Sequence, residues 1–596
     1  MGWRRRTRRW SARFALASLS LVLVACPLTT FDVEPPTGAS GNGGSGGGMG
    51  GSAGTVAAGT TGGPNGGRGS TTTPEPSADR FIMLQGESLT LLAPAGLLAN
   101  DAPLGGLEVV RYGSNASLPS ELEPVFSIRP DGRFDFTPPP RFFGRYVLSY
   151  TVQNANAVKA SAEVEVLVVP TDIDLDAVAE GVGGFVLDGA PGDALGASLA
   201  GASDVNGDDL DDLLLGAPGA NDGAGVAYVV FGKNDLDPLE LSALPARTSE
   251  QRFVSFSGTA GEALGRSLSS LGDLDGDGGA DLVLGAEGGS GRAYVVFTGG
   301  LSGGTTLPGS RAFTLEGDAT QRGVGRVVRG VGDLDLDGAP DLVVSSRSGP
   351  YGWLHIVLGD ASWTGSASVL DVAAFGVRGG LPDDRFPLDL APSPDLNGDG
   401  YPELFLASLS QFALLLGGKS YPADLSELTP DGTQGGWSLL RGSSMAEGAV
   451  ASAGDVDGDR AADVVYCDGV LYCRVVFGPP STLATGWRIA GFTAEATRLL
   501  VDGGGDVDGD LLADVLFAES SRAYLVYGKP SGHTDVNLAS LSSAGYSISA
   551  ASEGSIDSVT FAGDVNGDGL GDLALGDASA NAGNGRVYVV LGVASQ

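Results

Sequence analysis

The chain has 596 residues, a formal charge of −37, 97 glycines and 42% apolar residues. That length exceeds one ordinary compact domain, so two or more units, or one large repeat architecture, are expected. The acidity argues against a nucleic-acid partner, and the apolar share is ample for buried sheets.

Arg4, Arg5, Arg6, Arg8, Arg9 and Arg13 precede an apolar run over 14–25, which is too short to span a bilayer comfortably. Residues 1–25 therefore read as an export signal. Leu23-Val24-Ala25-Cys26 resembles the lipobox of bacterial lipoproteins, which implies lipidation at Cys26; a plain secretory signal with a chance cysteine is the alternative. Pro27 stands where an aspartate would favour inner-membrane retention, so the resemblance implies anchoring at the outer membrane or cell surface. Residues 26–78 are a Gly/Ser/Thr-rich tether that cannot bury a core. Its reach as a coil is on the order of 40 Å. Two GxSxG matches, 43–47 and 50–54, fall in this tether without the strand and helix that a nucleophile elbow needs.

From 79 to 170 the pattern changes to short alternating runs, and strands are predicted over 81–84, 89–92, 107–112, 125–128, 133–136, 146–153 and 162–169. Pro130-Asp131-Gly132 supplies a tight turn, and the strand number suits a small β-sandwich. AGLLANDA at 95–102 and the FSIRPDGRFDFTPPPRFFGRYVLSYTV run resemble the cadherin-like and bacterial Ig-like modules of surface proteins. That likeness implies a spacer or an adhesive module.

Residues 171–596 carry one nine-residue pattern seven times, with oxygen side chains at its first, third, fifth and ninth positions. The copies are Asp204, Asn206, Asp208, Asp212; Asp273, Asp275, Asp277, Asp281; Asp333, Asp335, Asp337, Asp341; and Asp395, Asn397, Asp399, Glu403. Then follow Asp455, Asp457, Asp459, Asp463; Asp506, Asp508, Asp510, Asp514; and Asp564, Asn566, Asp568, Asp572. All but the three asparagines are acidic, so much of the negative charge has a local source. Calcium is a hard cation that takes six to eight oxygens, and carboxylates or amides at this spacing, with a position-seven carbonyl such as that of Leu210, fold round one centre. An EF-hand is excluded, because its position-twelve glutamate is replaced by Leu215, Leu284, Val344, Leu406, Tyr466, Phe517 and Leu575. Up to seven structural Ca2+ ions are expected. Acidic turns without metal are the bland alternative for any single copy. Gly278, Gly400 and Gly569 at position six ease the reversal, whereas Arg460 and Leu511 imply weaker loops.

The loops begin 69, 60, 62, 60, 51 and 58 residues apart, which fits four-stranded propeller blades. An apolar strand follows each loop, and further strands are predicted at 226–231, 293–297, 354–358, 412–416, 474–477, 523–527 and 587–591. Fourth strands are predicted at 254–258, 313–317, 375–379, 438–442, 487–491 and 546–550. The seventh copy, 185–189, precedes the first loop, so the N-terminal end is expected to supply the last blade's outer strand and close the ring. The fold class is all-β: a seven-bladed β-propeller over 171–596 behind the sandwich. Phe231-Gly232 and Gly216-Ala217-Pro218 make this region resemble the FG-GAP repeat of integrin α-subunit propellers.

Cys467 and Cys473 flank a predicted hairpin turn, which leaves a disulfide or two buried free thiols. No Walker motif, zinc-ligand cluster or nucleophile elbow is present, and His355 lies in an apolar strand, so no enzyme activity is expected. A polysaccharide-processing enzyme and an architectural envelope component are the readings from other classes. The integrin-like resemblance implies a surface-tethered extracellular module that binds or adheres to a protein or glycan and meets the membrane only through its N-terminal lipid. A propeller lectin using Trp353, Trp363, Trp437 or Trp487 is the related alternative.

Overall fold

A computed structural model of the chain describes residues 73–93, 96–102, 105–114, 123–233, 235, 238–241, 252–299, 304–379, 386–393, 395–396, 400–407, 412–415, 437–438, 449–468, 472–478, 486–492, 498–530, 535–552 and 554–594. The leader, Cys26, Asn397 and Asp399 lie outside the described residues.

The first unit is the sandwich. Its strands are β1 (Asp79–Leu84), β2 (Leu89–Leu91), β3 (Leu107–Ser114), β4 (Val125–Ile128), β5 (Phe134–Thr137), β6 (Gly144–Asn154) and β7 (Lys159–Val169). One sheet runs β1-β7-β6-β3 and the other β2-β5-β4. Strict alternation along β6 turns Tyr146, Leu148, Tyr150 and Val152 inward, where Tyr146 meets Phe136 at 5.7 Å between ring centroids. Ordered pairing begins ahead of residue 79, since Glu75 bridges to Ala102 and Ser77 N donates to the buried Asp101 carboxylate.

The join to the second unit is short and tied down. Gln85 Oε1 accepts from Thr171 N and from Asp172 N, both at 3.0 Å. The chain then forms β8 (Asp172–Asp174), α1 (Leu175–Ala179) and β9 (Gly184–Asp188).

Seven inner strands, Ser198–Ser203, Leu264–Gly272, Val328–Gly332, Asp389–Ser393, Ala449–Gly454, Leu500–Gly505 and Ser558–Gly563, pack successively, and the last returns to the first. Each pairs antiparallel with the strand after its acidic loop. Most of those second strands, such as Asp212–Ala217 and Asp572–Asp577, are buried along their length, because strands flank both edges and neighbouring blades cover both faces. Runs such as Leu213-Leu214-Leu215 are therefore continuous rather than alternating, and each such side chain stabilises the fold by roughly 1.5–3 kcal/mol. The free edges of the inner strands are stitched by side chains. Ser198 Oγ donates to Gly265 O at 2.7 Å and Ser558 Oγ to Gly196 O at 2.6 Å, while Val450 N donates to Asp389 at 3.1 Å.

The ring closes as the repeat phase predicts. β9 pairs antiparallel with the C-terminal strand Arg586–Val590 and forms the outer strand of the seventh blade. Arg586 clamps the join through both oxygens of Asp188, at 2.7 and 2.8 Å.

A fifth strand, absent from the sequence-based expectation, crosses between blades. Gly304–Thr306, which leads into the second blade's outer strand, adds in parallel to Phe253–Ser257 of the first blade. Gly365–Ser368, Val536–Asn537 and Leu239–Glu240 do the same for the second, fifth and seventh blades. β8 does so on the sixth blade, pairing Ser547 to Ser549 with Asp172 to Asp174, whereas the third and fourth blades have four strands among the described residues. In these five blades an outer edge that would otherwise template aggregation is covered by a neighbouring segment.

Candidate metal loops

Each loop is shaped by its own acceptor groups. Asp204 Oδ1 accepts from Gly207 N at 2.6 Å and Asp208 N at 3.1 Å, and its Oδ2 accepts from Asp209 N at 2.9 Å. Asn206 accepts from Asp208 N at 2.9 Å, and Asp208 from Leu210 N at 3.0 Å. Main-chain donors thereby draw three side chains round one centre. The position-one carboxylate takes the position-six N–H in every copy, including Asp273, Asp333, Asp395, Asp455, Asp506 and Asp564.

That position-six residue is left-handed throughout. Gly278, Gly338, Gly400 and Gly569 adopt this backbone freely, whereas Asp209, Arg460 and Leu511 are held there at φ 68°, 73° and 70°. Leu511 is also 90% exposed, so no packing compensates its conformation.

The ninth residue opens the second strand and is fully buried in all seven copies: Asp212, Asp281, Asp341, Glu403, Asp463, Asp514 and Asp572. One of its oxygens accepts from the position-two N–H, as from Val205 to Asp212 at 2.8 Å and from Leu396 to Glu403 at 2.5 Å. In six copies the other accepts from the residue just beyond the third strand. These donors are Gly232, Thr298, Gly359, Gly478, Gly528 and Gly592, at 2.8–2.9 Å. The glycine of the Phe-Gly signature thus tethers the third strand to the loop. Sequence reasoning missed this role, although a glycine directly after five of these third strands was the available signal. Burial pushes the carboxyls up, to about 7 for Asp212 and Asp463, about 6 for Asp281 and Asp341, and about 8 for Asp514.

Among the described residues, four loops bring three carboxylates within 4.8 Å of one another: Asp273, Asp275, Asp281; Asp333, Asp335, Asp341; Asp455, Asp457, Asp463; and Asp506, Asp508, Asp514. In the first and seventh loops Asn206 and Asn566 stand at the third position. The donors are all hard oxygens, which suits a cation of the calcium kind and excludes a thiolate or imidazole site.

Other singled-out residues have packing roles. Cys467 and Cys473 are register partners, both buried, with sulfurs 2.03 Å apart. His355 is buried, with Nε2 2.8 Å from Ser346 Oγ, which donates to Gln321. Trp487 is only 2% exposed and packs edge-on against Phe477, so it offers no face to a sugar. Trp353 stacks on His355. Trp363 stacks on Phe313 at 4.8 Å and lines a cavity of ≈ 680 Å³ beside Asp337 and Asp360. Trp437 lies in a short strand whose side chains fall outside the described residues. No helix among the described residues is long and apolar enough to cross a membrane.

Fold and loops define an integrin-like β-propeller behind an Ig-type domain. The bacterial Ig domain family matches residues 72–167, and the FG-GAP repeat matches residues 195–230. The chain thus carries a bacterial Ig domain match ahead of an FG-GAP repeat match, within an all-β fold similar to integrin α propellers. Integrin alpha-PS2 of Drosophila melanogaster is 35% identical over 167 residues, 26% of this chain and 12% of that protein. Integrin alpha-5 of Xenopus laevis is 34% identical over 157 residues, 24% of this chain and 14% of that protein. Integrin alpha-6 of Gallus gallus is 27% identical over 229 residues, 36% of this chain and 19% of that protein. The matched region thus spans under a fifth of each of these relatives. A solved DUF4784 family protein from Bacteroides caccae is 12% identical, covering 76% of this chain and 93% of that one, with a TM-score of 0.22, too low to bear on the fold.

Proposed function

We propose that this chain is an exported, lipid-tethered surface protein whose calcium-stabilised propeller is an extracellular binding or adhesion module. The observation that carries the reading is the ring of like-built loops at one end of the inner strands, each with a buried ninth carboxylate. In the fully described loops, the side chains at positions one, three, five and nine and the position-seven carbonyl would hold the ion. The fourth loop contributes Asp395 and Glu403, with Asn397 and Asp399 assigned from sequence. Bound calcium supplies positive charge that lets the carboxylates stay ionised in a desolvated place. Without it, unit charges about 4 Å apart repel by roughly 4 kcal/mol at an effective dielectric near 20. Likeness to integrin α chains supports a ligand-binding role and gives no ligand. Cys26, at the end of the lipobox-like run, would carry the lipid.

Screening the calcium-loaded chain against envelope proteins and glycan arrays tests the reading. A partner captured with calcium and released by chelation is expected; binding indifferent to calcium counts against it.

A further inference from the structure

Neighbouring acidic loops are joined by backbone hydrogen bonds, and the joins follow one rule. The N–H of the eighth residue donates to the first residue's carbonyl in the preceding loop: Ala513 N to Asp455 O at 2.9 Å, Gly571 N to Asp506 O at 2.7 Å and Asp211 N to Asp564 O at 3.1 Å. At the seam of the ring the bond is returned, with Asp564 N donating to Asp211 Oδ2 at 2.8 Å. The fifth, sixth, seventh and first loops are thus linked in one unbroken run. The eighth residues of the third and fourth loops are Pro340 and Pro402, which have no N–H to give, so the third loop lacks this link on both sides.

A second path ties together the buried ninth carboxylates of the same run. Val456 N donates to Asp463 at 2.9 Å, Val456 O accepts from Lys529 N at 2.7 Å, and the adjoining Gly528 N donates to Asp514 at 2.8 Å. Three residues therefore span from one ninth carboxylate to the next. The step repeats from Asp514 through Val507, Val593 and Gly592 to Asp572, with bonds of 2.9, 3.1 and 2.8 Å. It repeats again from Asp572 through Val565, Lys233 and Gly232 to Asp212, with bonds of 3.0, 2.7 and 2.9 Å. Val456, Val507 and Val565 are all buried, which keeps these bonds out of water.

Resting on the calcium reading above, we propose that these links make calcium uptake cooperative across the fifth, sixth, seventh and first loops, while the third loop fills on its own. An ion that draws in Asp514 fixes the peptides of Val507, Gly528 and Lys529, which are already bonded to the flanking loops. A neighbouring loop then orders at less entropic cost when its own ion arrives. The run joins the two loops held left-handed at Arg460 and Leu511 to the seventh, where Gly569 takes that backbone freely. The easily formed loop therefore assists the two that bear strain. Because the run crosses the seam, metal that orders the seventh loop also fastens it to the first. Coupling of this kind changes affinity about fivefold or more.

Hydrogen exchange followed through a calcium titration of the full chain tests this, reading the calcium midpoint at which each loop gains protection. Asp508→Asn with Asp510→Asn disables the sixth loop while keeping acceptors for Asp510 N and Leu512 N. The midpoints of loops 455–463 and 564–572 are expected to rise about fivefold, and that of loop 333–341 to stay. An unmoved midpoint at either flanking loop, or an equal rise at 333–341, overturns the proposal. Ala513→Pro with Lys529→Pro cuts the joins between the fifth and sixth loops, placing proline where Pro340 and Pro479 stand in other blades. In that background, disabling the sixth loop is expected to move the seventh and leave the fifth; a fifth-loop midpoint that still rises overturns the proposal. Should the proline variant not fold, the comparison of the flanking loops with the third decides. A wild type in which no loop gains protection with calcium would sink the calcium reading itself, and the proposal with it.

Discussion

Gly528 N donates to Asp514 Oδ1 at 2.8 Å, fastening the end of one strand to the start of another inside the sixth blade. Val507 N takes the other oxygen at 2.9 Å, so a single buried carboxylate closes both the acidic loop and the strand that follows its hairpin. Asp514→Ala would leave two buried N–H groups unpaired, at about 1–3 kcal/mol each. The expected total loss is roughly 2–6 kcal/mol, read from urea unfolding. Asp514→Asn, which keeps one acceptor, is expected to lose about half as much. A loss within experimental error for the alanine variant would remove the carboxylate from the account of blade stability.

Leu511 is held left-handed at φ 70° with its side chain 90% exposed. Leu511→Gly should relieve about 1–2 kcal/mol of backbone strain and give back about 0.5–1 kcal/mol as chain entropy. A net gain near 0.5 kcal/mol and tighter calcium binding at that loop are expected. A destabilised variant would show that the loop does not need this backbone.

Asp101 and Asp79 lie buried beside Tyr150 in the Ig domain, with the tyrosine hydroxyl 3.3 Å from an oxygen of each. Burial raises Asp101 to about 6, and burial with the neighbouring Asp101 raises Asp79 well above the ordinary range. Both folded values exceed the unfolded ones, so between about pH 4 and 6 the native state holds more protons than the unfolded chain and stability falls as pH rises. The cost at pH 7 is on the order of 1–3 kcal/mol for Asp101. Asp101→Asn, which keeps an acceptor for Ser77 N, is expected to flatten this slope in thermal melts from pH 4 to 8. An unchanged slope would place the titration elsewhere.

Arg586 and Asp188 join the last strand to the ring's N-terminal end while each stays about a quarter exposed. Asp188→Ala is expected to lose about 1–2 kcal/mol and to speed hydrogen exchange first at 184–188 and 586–590. Exchange quickening elsewhere first would argue that opening does not begin at this seam.

Much of this architecture is legible because its signals are local and repeated. The seven acidic loops fix blade phase, and the copy at 185–189 betrays ring closure because it stands ahead of the first loop rather than after the last. The disulfide-forming pair sits in adjacent strands of one hairpin, so its register is also local. The cross-blade strands are not legible in this way. Gly304–Thr306 and Val536–Asn537 are two or three polar or small residues with no alternation of their own, and they become strands only where a neighbouring outer edge receives them. The donations from Gly232 and its counterparts to the ninth carboxylates were hidden for a related reason. The sequence distance varies from blade to blade with hairpin length, while the spatial relation stays constant. The contact of the Ig domain with the ring-closing segment depends on Phe143 and Gly183, two residues that no periodic pattern sets apart.

On the proposed reading, the seven loops hold the propeller together by holding calcium. Melting the chain in millimolar calcium and again in excess EDTA tests it most directly. The propeller transition is expected to drop on the order of 10 °C or more on chelation and to return when calcium is restored. Superimposable melting curves in calcium and EDTA would contradict the claim and reduce the loops to acidic turns.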